Sequence, residues 1–213
     1  MKTPLSTIWF TLERIKQTSI DNQSQVDVKY LDSIGEDVRR VDGYVKGFMK
    51  LADLNPPNLQ ENQLNSTIEE FLIAYMEKLP ESVRVQREFA EDLPVVKLDV
   101  NLFTVGLTNL LDNAVMAMKG KGTLKLSTFM VRHLNDTTVF ITISDTGCGI
   151  DTEDIPKVFN PYFSRAGSGT GLGLVITKKI VEDHGGKIRF TTKQGFGTEF
   201  TIELPAATTI VGS

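Results

Sequence analysis

The chain has 213 residues, 40% of them hydrophobic and 23% charged, with a formal net charge of −4, the balance of a globular protein holding one sizeable domain and a smaller element. The acidic excess offers no field to nucleic acid or an anionic membrane, no apolar run reaches the length of a membrane span, and no signal peptide is visible. One cysteine and two histidines exclude an internal disulfide and make a poor metal cluster, so the reading is cytoplasmic and reduced.

Pro4 stands near the first turn of a helix predicted over residues 3 to 20, where its missing N–H costs nothing. Apolar residues fall at Leu5, Ile8, Leu12 and Ile15, then in a second helix over 26 to 54 at Leu31, Ile34, Val38, Val41, Val45, Phe48 and Ala52. Alternating steps of three and four are the seam of a helical bundle. Residues 18 to 25 join the two as an antiparallel hairpin, whose apolar stripe needs a second copy to complete a dimeric four-helix bundle. Asn55-Pro-Pro-Asn58 ends the second helix, since proline cannot continue it.

The rest reads as α/β, so the fold class is α+β. A helix capped by Asn65 or Ser66 runs to about residue 79, residues 83 to 89 alternate as a strand, and 95 to 98 form a short apolar strand. Asp99 caps a helix carrying Asn109 and Asn113. Strands over 123 to 132 and 138 to 144 make a hairpin around Asn135-Asp136. A short helix near 153 to 158, an apolar helix from Leu172 to Val181, and strands over 187 to 192 and 197 to 204 complete the pattern. The domain boundaries are 1–56 for the hairpin, 57–205 for the α/β domain and 206–213 for a loose tail.

Chemistry concentrates in four places. Gly169, Gly171 and Gly173 open directly into the helix at Leu172, where free N–H groups and the helix dipole make an anion site whose default ligand is a phosphate. Asn109 and Asn113 lie one turn apart and face the same way. Neutral amide oxygens suit a hard cation beside phosphates, unless one amide satisfies buried backbone instead. Asp145 ends an apolar strand, where its carboxylate is an acceptor for an exocyclic amine or the start of an Asx turn, and Gly147 and Gly149 let the turn wrap a base. Gly195-Phe-Gly197-Thr198 marks a last strand turn.

In order and spacing these stretches resemble the N, G1, F, G2 and G3 boxes of the GHKL ATP-binding superfamily, which includes histidine kinases, type II topoisomerases and Hsp90 chaperones. The resemblance covers roughly residues 60 to 205 and implies a mixed sheet covered on one face by three helices, binding ATP or ADP with Mg²⁺. It makes Asn113 the Mg²⁺ ligand and Asn109 a support of the phosphate end, and puts Asp145 with Thr198 at the adenine, Thr198 being otherwise a strand hydroxyl. Gly147, Gly149, Gly169, Thr170, Gly171, Leu172 and Gly173 belong to the nucleotide turns. Arg165, in the short lid, is either a partner of the terminal phosphates or a solvated surface residue. Phe159 and Phe163 serve as core as readily as they serve as ligand contacts. Hydrolytic members carry glutamate at the turn occupied here by Asn109, as general base, so poor hydrolysis is expected. His133, His184 and Cys148 read as bystanders.

Met1-Lys-Thr-Pro-Leu-Ser resembles the end of the dimerisation motif of two-component sensor histidine kinases, and the short lid is most similar to the nitrogen-regulation type. Aligned on Thr3-Pro4-Leu5, the phosphoacceptor histidine would lie two positions before Met1. The expectation is therefore a transmitter core cut after its nucleophile, unable to phosphorylate itself, with any sensor or membrane anchor upstream and a response-regulator receiver domain as partner. Thr3 matches the family position that orients water against the regulator's phospho-aspartate, a phosphatase role. Two readings compete: a nucleotide-gated scaffold that docks a regulator without phosphotransfer, and an ATPase or serine kinase of the same superfamily, against which Asn109 and Thr3-Pro4-Leu5 argue.

Overall fold

The computed structural model describes residues 4–21, 31–32, 34–38, 41–43, 45, 49, 56–132, 134, 136–164 and 170–207, with the side chains of 4–7 and 18–21 left aside. The chain divides into two compact units, Met1–Leu54 with Pro161–Leu172, and Asn55–Asn160 with Gly173–Ser213.

The described residues of the first unit up to 49 are helical. Helix α1 spans Pro4–Asp21, and residues 31–32, 34–38, 41–43, 45 and 49 are also helical. Two cross-links show the antiparallel sense. Trp9 lies so close to Gly35 that a Cβ there would come within 2.7 Å of the indole, and Lys16 pairs with Asp32 at 2.6 Å. As one number rises the other falls. The seam residues Ile8, Ile15, Ile34, Val41 and Val45 are each more than 40% exposed in the single chain.

The second unit is a five-stranded mixed sheet covered by three helices. Its strands are β2 (Val83–Phe89), β4 (Gly122–Arg132), β5 (Thr137–Asp145), β6 (Lys187–Lys193) and β7 (Gly197–Pro205), in the order β2-β4-β5-β7-β6. Only β2 and β4 run parallel; a crossover between parallel neighbours needs a helix, here α3 (Val100–Ala117). Helices α2 (Leu64–Met76) and α4 (Gly173–Asp183) complete the layer. The core joins Leu72, Phe103, Leu107 and Leu111 to Leu126, Ile141, Ile143 and Ile202, one face of each strand by the two-residue alternation.

Two local expectations change. Helix α2 starts from Gln63 with no side-chain cap, because Asn65 is engaged elsewhere: its Nδ2 donates to the Ala90 carbonyl at 2.7 Å and its Oδ1 accepts from Thr128 at 2.9 Å. A three-residue strand, β1 (Gln60–Asn62), pairs with β3 (Val96–Leu98) outside the main sheet. Asp99 caps α3 as expected, accepting from Leu102 N–H at 3.1 Å. Ala206 and Ala207 are tied to the Thr137 and Val95 carbonyls at 2.9 and 2.8 Å.

His184 locks this unit. Its ring is 4% exposed, Nδ1 donates to the Ile180 carbonyl at 2.7 Å, and Nε2 accepts from Asp99 N–H at 3.0 Å. Accepting at Nε2 fixes the neutral tautomer. His184→Ala is expected to cost about 2–4 kcal/mol in urea denaturation, from the cavity and the orphaned Asp99 N–H.

Candidate functional site

Strand register assembles one end of the site. Leu124 pairs with Asp145 across β4 and β5, Ser144 with Glu199 across β5 and β7, and Thr192 with Thr198 across β7 and β6. Asp145, Thr198 and Thr192 thus form a row on the face that carries the core. The Asp145 side chain is 6% exposed and accepts from Gly147 N–H at 2.7 Å. Burial pushes its carboxyl above the usual carboxylate range, against the backbone N–H groups of Gly147 and Thr198, which pull it down.

Two glycines make the row possible. A Cβ on Gly147 would lie 2.7 Å from the Ala117 carbonyl carbon and from Asp145 Oδ1. Gly197, at φ 118°, lies against the Asp145 main chain so closely that a Cβ would overlap the carbonyl oxygen. Gly149 closes the same loop at φ 69°, which Cys148 ties to α3 through its N–H on the Ala117 carbonyl at 3.2 Å. Thr192, absent from the sequence expectations, binds three groups: its hydroxyl oxygen is 2.9 Å from Ile150 N, 3.1 Å from the Gly197 carbonyl and 3.0 Å from Thr198 Oγ1. Threonines in strands are too common for the sequence to single it out.

The second end lies along α3. Asn109 Nδ2 donates to the Gly173 carbonyl at 3.1 Å, in the first turn of α4, and to Thr177 Oγ1 at 3.4 Å, which orients the amide. The side chain of Asn113, one turn on and half-buried, makes no hydrogen bond among the described residues. Asp112 instead accepts from the Tyr75 hydroxyl at 2.7 Å; burial and that bond push the phenol pKa up. No group of three or more His, Cys, Asp and Glu residues that could hold a metal occurs among the described residues. A cation here would take neutral amide oxygen, with phosphates and water completing its shell, which is a fit for Mg²⁺ rather than for a transition metal.

Within the first unit, the Gly171 carbonyl accepts from Tyr162 N–H at 3.1 Å, and Leu172 N–H donates to Thr170 Oγ1 at 3.4 Å. Thr3, Arg165 and Gly169 lie outside the described residues, as does His133. Phe159, partly buried, packs edge-on against Phe190, ring centroids 5.8 Å apart, at the margin of the core. Cys148 is exposed.

Residues 99–208, slightly more than half of the chain, match the family described as histidine kinase-, DNA gyrase B- and HSP90-like ATPase. The chain belongs to this family. Within it, this histidine-kinase-type ATPase domain is similar to those of sensor kinases: it is 29% identical over 211 residues to the signal transduction histidine-protein kinase AtoS of Escherichia coli, covering 96% of this chain and 33% of AtoS. The fold matches that of ShkA, solved with AMPPNP, at a TM-score of 0.66 with 22% identity over 85% of this chain and 38% of ShkA. It likewise matches histidine kinase ThkA in complex with response regulator protein TrrA, at 0.65 and 24%, over 95% of this chain and 60% of that one. The chain thus spans about a third of AtoS. Among the described residues no helix is long and apolar enough to cross a membrane.

Proposed function

We propose that the chain binds ATP and ADP with Mg²⁺ as the catalytic core of a sensor histidine kinase, and that the whole protein transfers the γ-phosphoryl group to a histidine and then to a receiver-domain aspartate. The observation that carries this is the buried Asp145 carboxylate, held at a strand end by Gly147 and Thr198, an acceptor for the adenine amine that the guanine carbonyl cannot satisfy. Asn113 is the proposed Mg²⁺ ligand, Asn109 the support that aligns the phosphate end. Gly169, Thr170, Gly171, Leu172 and Gly173 enter as phosphate-side residues, and Arg165 as a phosphate partner, on their motif alone. Bound Mg²⁺ would neutralise phosphate charge. Hydrolysis is expected to be slow, since Asn109 cannot take a proton at neutral pH and Asp112 is committed to Tyr75.

Calorimetry of the whole chain tests the reading. ATP and ADP should bind in Mg²⁺ and GTP much more weakly; equal affinities would remove the adenine assignment. Asn113→Ala should weaken Mg²⁺–ATP binding about tenfold or more and leave binding in chelator nearly unchanged. Loss of both alike would place Asn113 outside the metal shell. With labelled ATP, His184 should carry no phosphate, because both ring nitrogens are already bonded in a buried setting.

The proposed partners are a second copy of the chain and a response regulator, in a cytoplasmic setting and of the nitrogen-regulation type. Exposed Ile8, Ile15, Ile34, Val41 and Val45 support the homodimer, since such a seam is covered in a bundle. ThkA, a fold match, binds a regulator. The working domain division is 1–56, 57–205 and 206–213, with Thr3 in a phosphatase role. Light scattering showing a monomer at tens of micromolar would count against the bundle.

A further inference from the structure

We infer that Thr192 is a positioning residue for nucleotide selection: it takes up the Thr198 hydroxyl proton, so the base end of the site presents only acceptors and retains a purine with a donor at position 6. The inference rests on the adenine reading of Asp145 and adds to it how a second side chain is set.

A hydroxyl has one proton and two lone pairs. Thr192 Oγ1 meets Ile150 N–H, which can only donate, at 2.9 Å, and the Gly197 carbonyl, which can only accept, at 3.1 Å. The first takes one lone pair and the second takes the proton. The remaining lone pair faces Thr198 Oγ1 at 3.0 Å, an arrangement in which Thr198 is the donor of that contact. Its proton is spent toward β6, and what it has left beside Asp145 is lone pairs. Asp145, ionised, also only accepts.

An amine at purine position 6 carries two N–H groups and suits such a pair of acceptors. A 6-oxo group brings an acceptor against acceptors and leaves buried groups unmatched. Were the Thr192 hydroxyl removed, Thr198 could rotate and donate to a 6-oxo group. Valine is close in shape to threonine and β-branched, so it keeps the strand while deleting the hydrogen bonds.

The test titrates the whole chain in Mg²⁺ with ATP, purine riboside triphosphate (hydrogen at position 6) and ITP (oxygen there). The wild-type protein should bind them in that order of decreasing affinity. Thr192→Val should lower the ATP-to-ITP affinity ratio about three- to tenfold, and Thr192→Ser, which keeps the hydroxyl, should hold it at the wild-type value. A general loss of structure would weaken both ligands without moving the ratio. Wild-type protein that binds ATP no better than purine riboside triphosphate would sink the adenine reading itself. Wild-type protein that prefers ATP but binds ITP at least as well as purine riboside triphosphate would count against a base end made only of acceptors, and overturn the role of Thr192 alone. So would an unchanged ratio in Thr192→Val; if that variant does not fold, the wild-type order decides.

Discussion

Asp145→Asn is expected to weaken ATP binding by about 1–3 kcal/mol, roughly five- to 150-fold, the scale of a hydrogen bond to a buried charge. The amide offers one acceptor oxygen in place of two and turns an N–H toward the adenine amine. Affinity should also respond to acid. Burial raises the folded carboxyl above its unfolded value, so the residue's contribution to stability is fully present below the unfolded pKa and is lost as pH rises through the folded one. Binding has the opposite sign, because the adenine amine prefers the ionised acceptor. ATP affinity should therefore fall as pH drops through the raised carboxyl pKa, a window that opens above the ordinary carboxylate range, while the unliganded protein gains stability from this group. Calorimetry across that range, with urea denaturation beside it, should show both trends in the wild type and neither in Asp145→Asn. An Asn variant with wild-type affinity would take Asp145 away from the base.

The β6–β7 turn supplies the second large effect and its own control. Gly195 and Gly197 both have positive φ, 79° and 118°, but a Cβ on Gly195 meets nothing within 4 Å while one on Gly197 runs into the Asp145 carbonyl oxygen and the Thr146 Cα. Gly195→Ala should cost only the backbone strain, about 1 kcal/mol. Gly197→Ala carries strain and forces β7 away from the end of β5, and is expected to cost about 3 kcal/mol or more. Because the strand it displaces carries Thr198, and with it the backbone N–H that Asp145 accepts, ATP affinity should fall as well. Urea midpoints give the stability difference and calorimetry the affinity. Equal effects at the two glycines would mean that close approach to Asp145 is not what requires Gly197.

Local rules made much of this chain readable. The alternation at Val83–Phe89, the apolar strand over 138 to 144, the cap at Asp99 and the glycines that close each turn act within a few residues, and each of these elements forms in the structure. The order Asn109, Asn113, Asp145, Gly147, Gly149, Thr198 was enough to name the ATPase family. Polar groups that choose among distant partners were not readable. Asn65 looked like a cap but is drawn to Ala90 and Thr128, and Gln60–Asn62, polar and three residues long, is a strand only because Val96–Leu98 lies beside it. Thr192 meets Ile150 and Gly197 at one hydroxyl because the β5-β7-β6 order brings them together. Pattern and propensity are short-range and written in sequence, whereas a buried hydrogen bond is satisfied by whichever group the sheet register delivers; the family and the candidate residues can be read from local pattern, while the partners that Asn65, Asn109 and Thr192 meet depend on how the sheet and helices assemble.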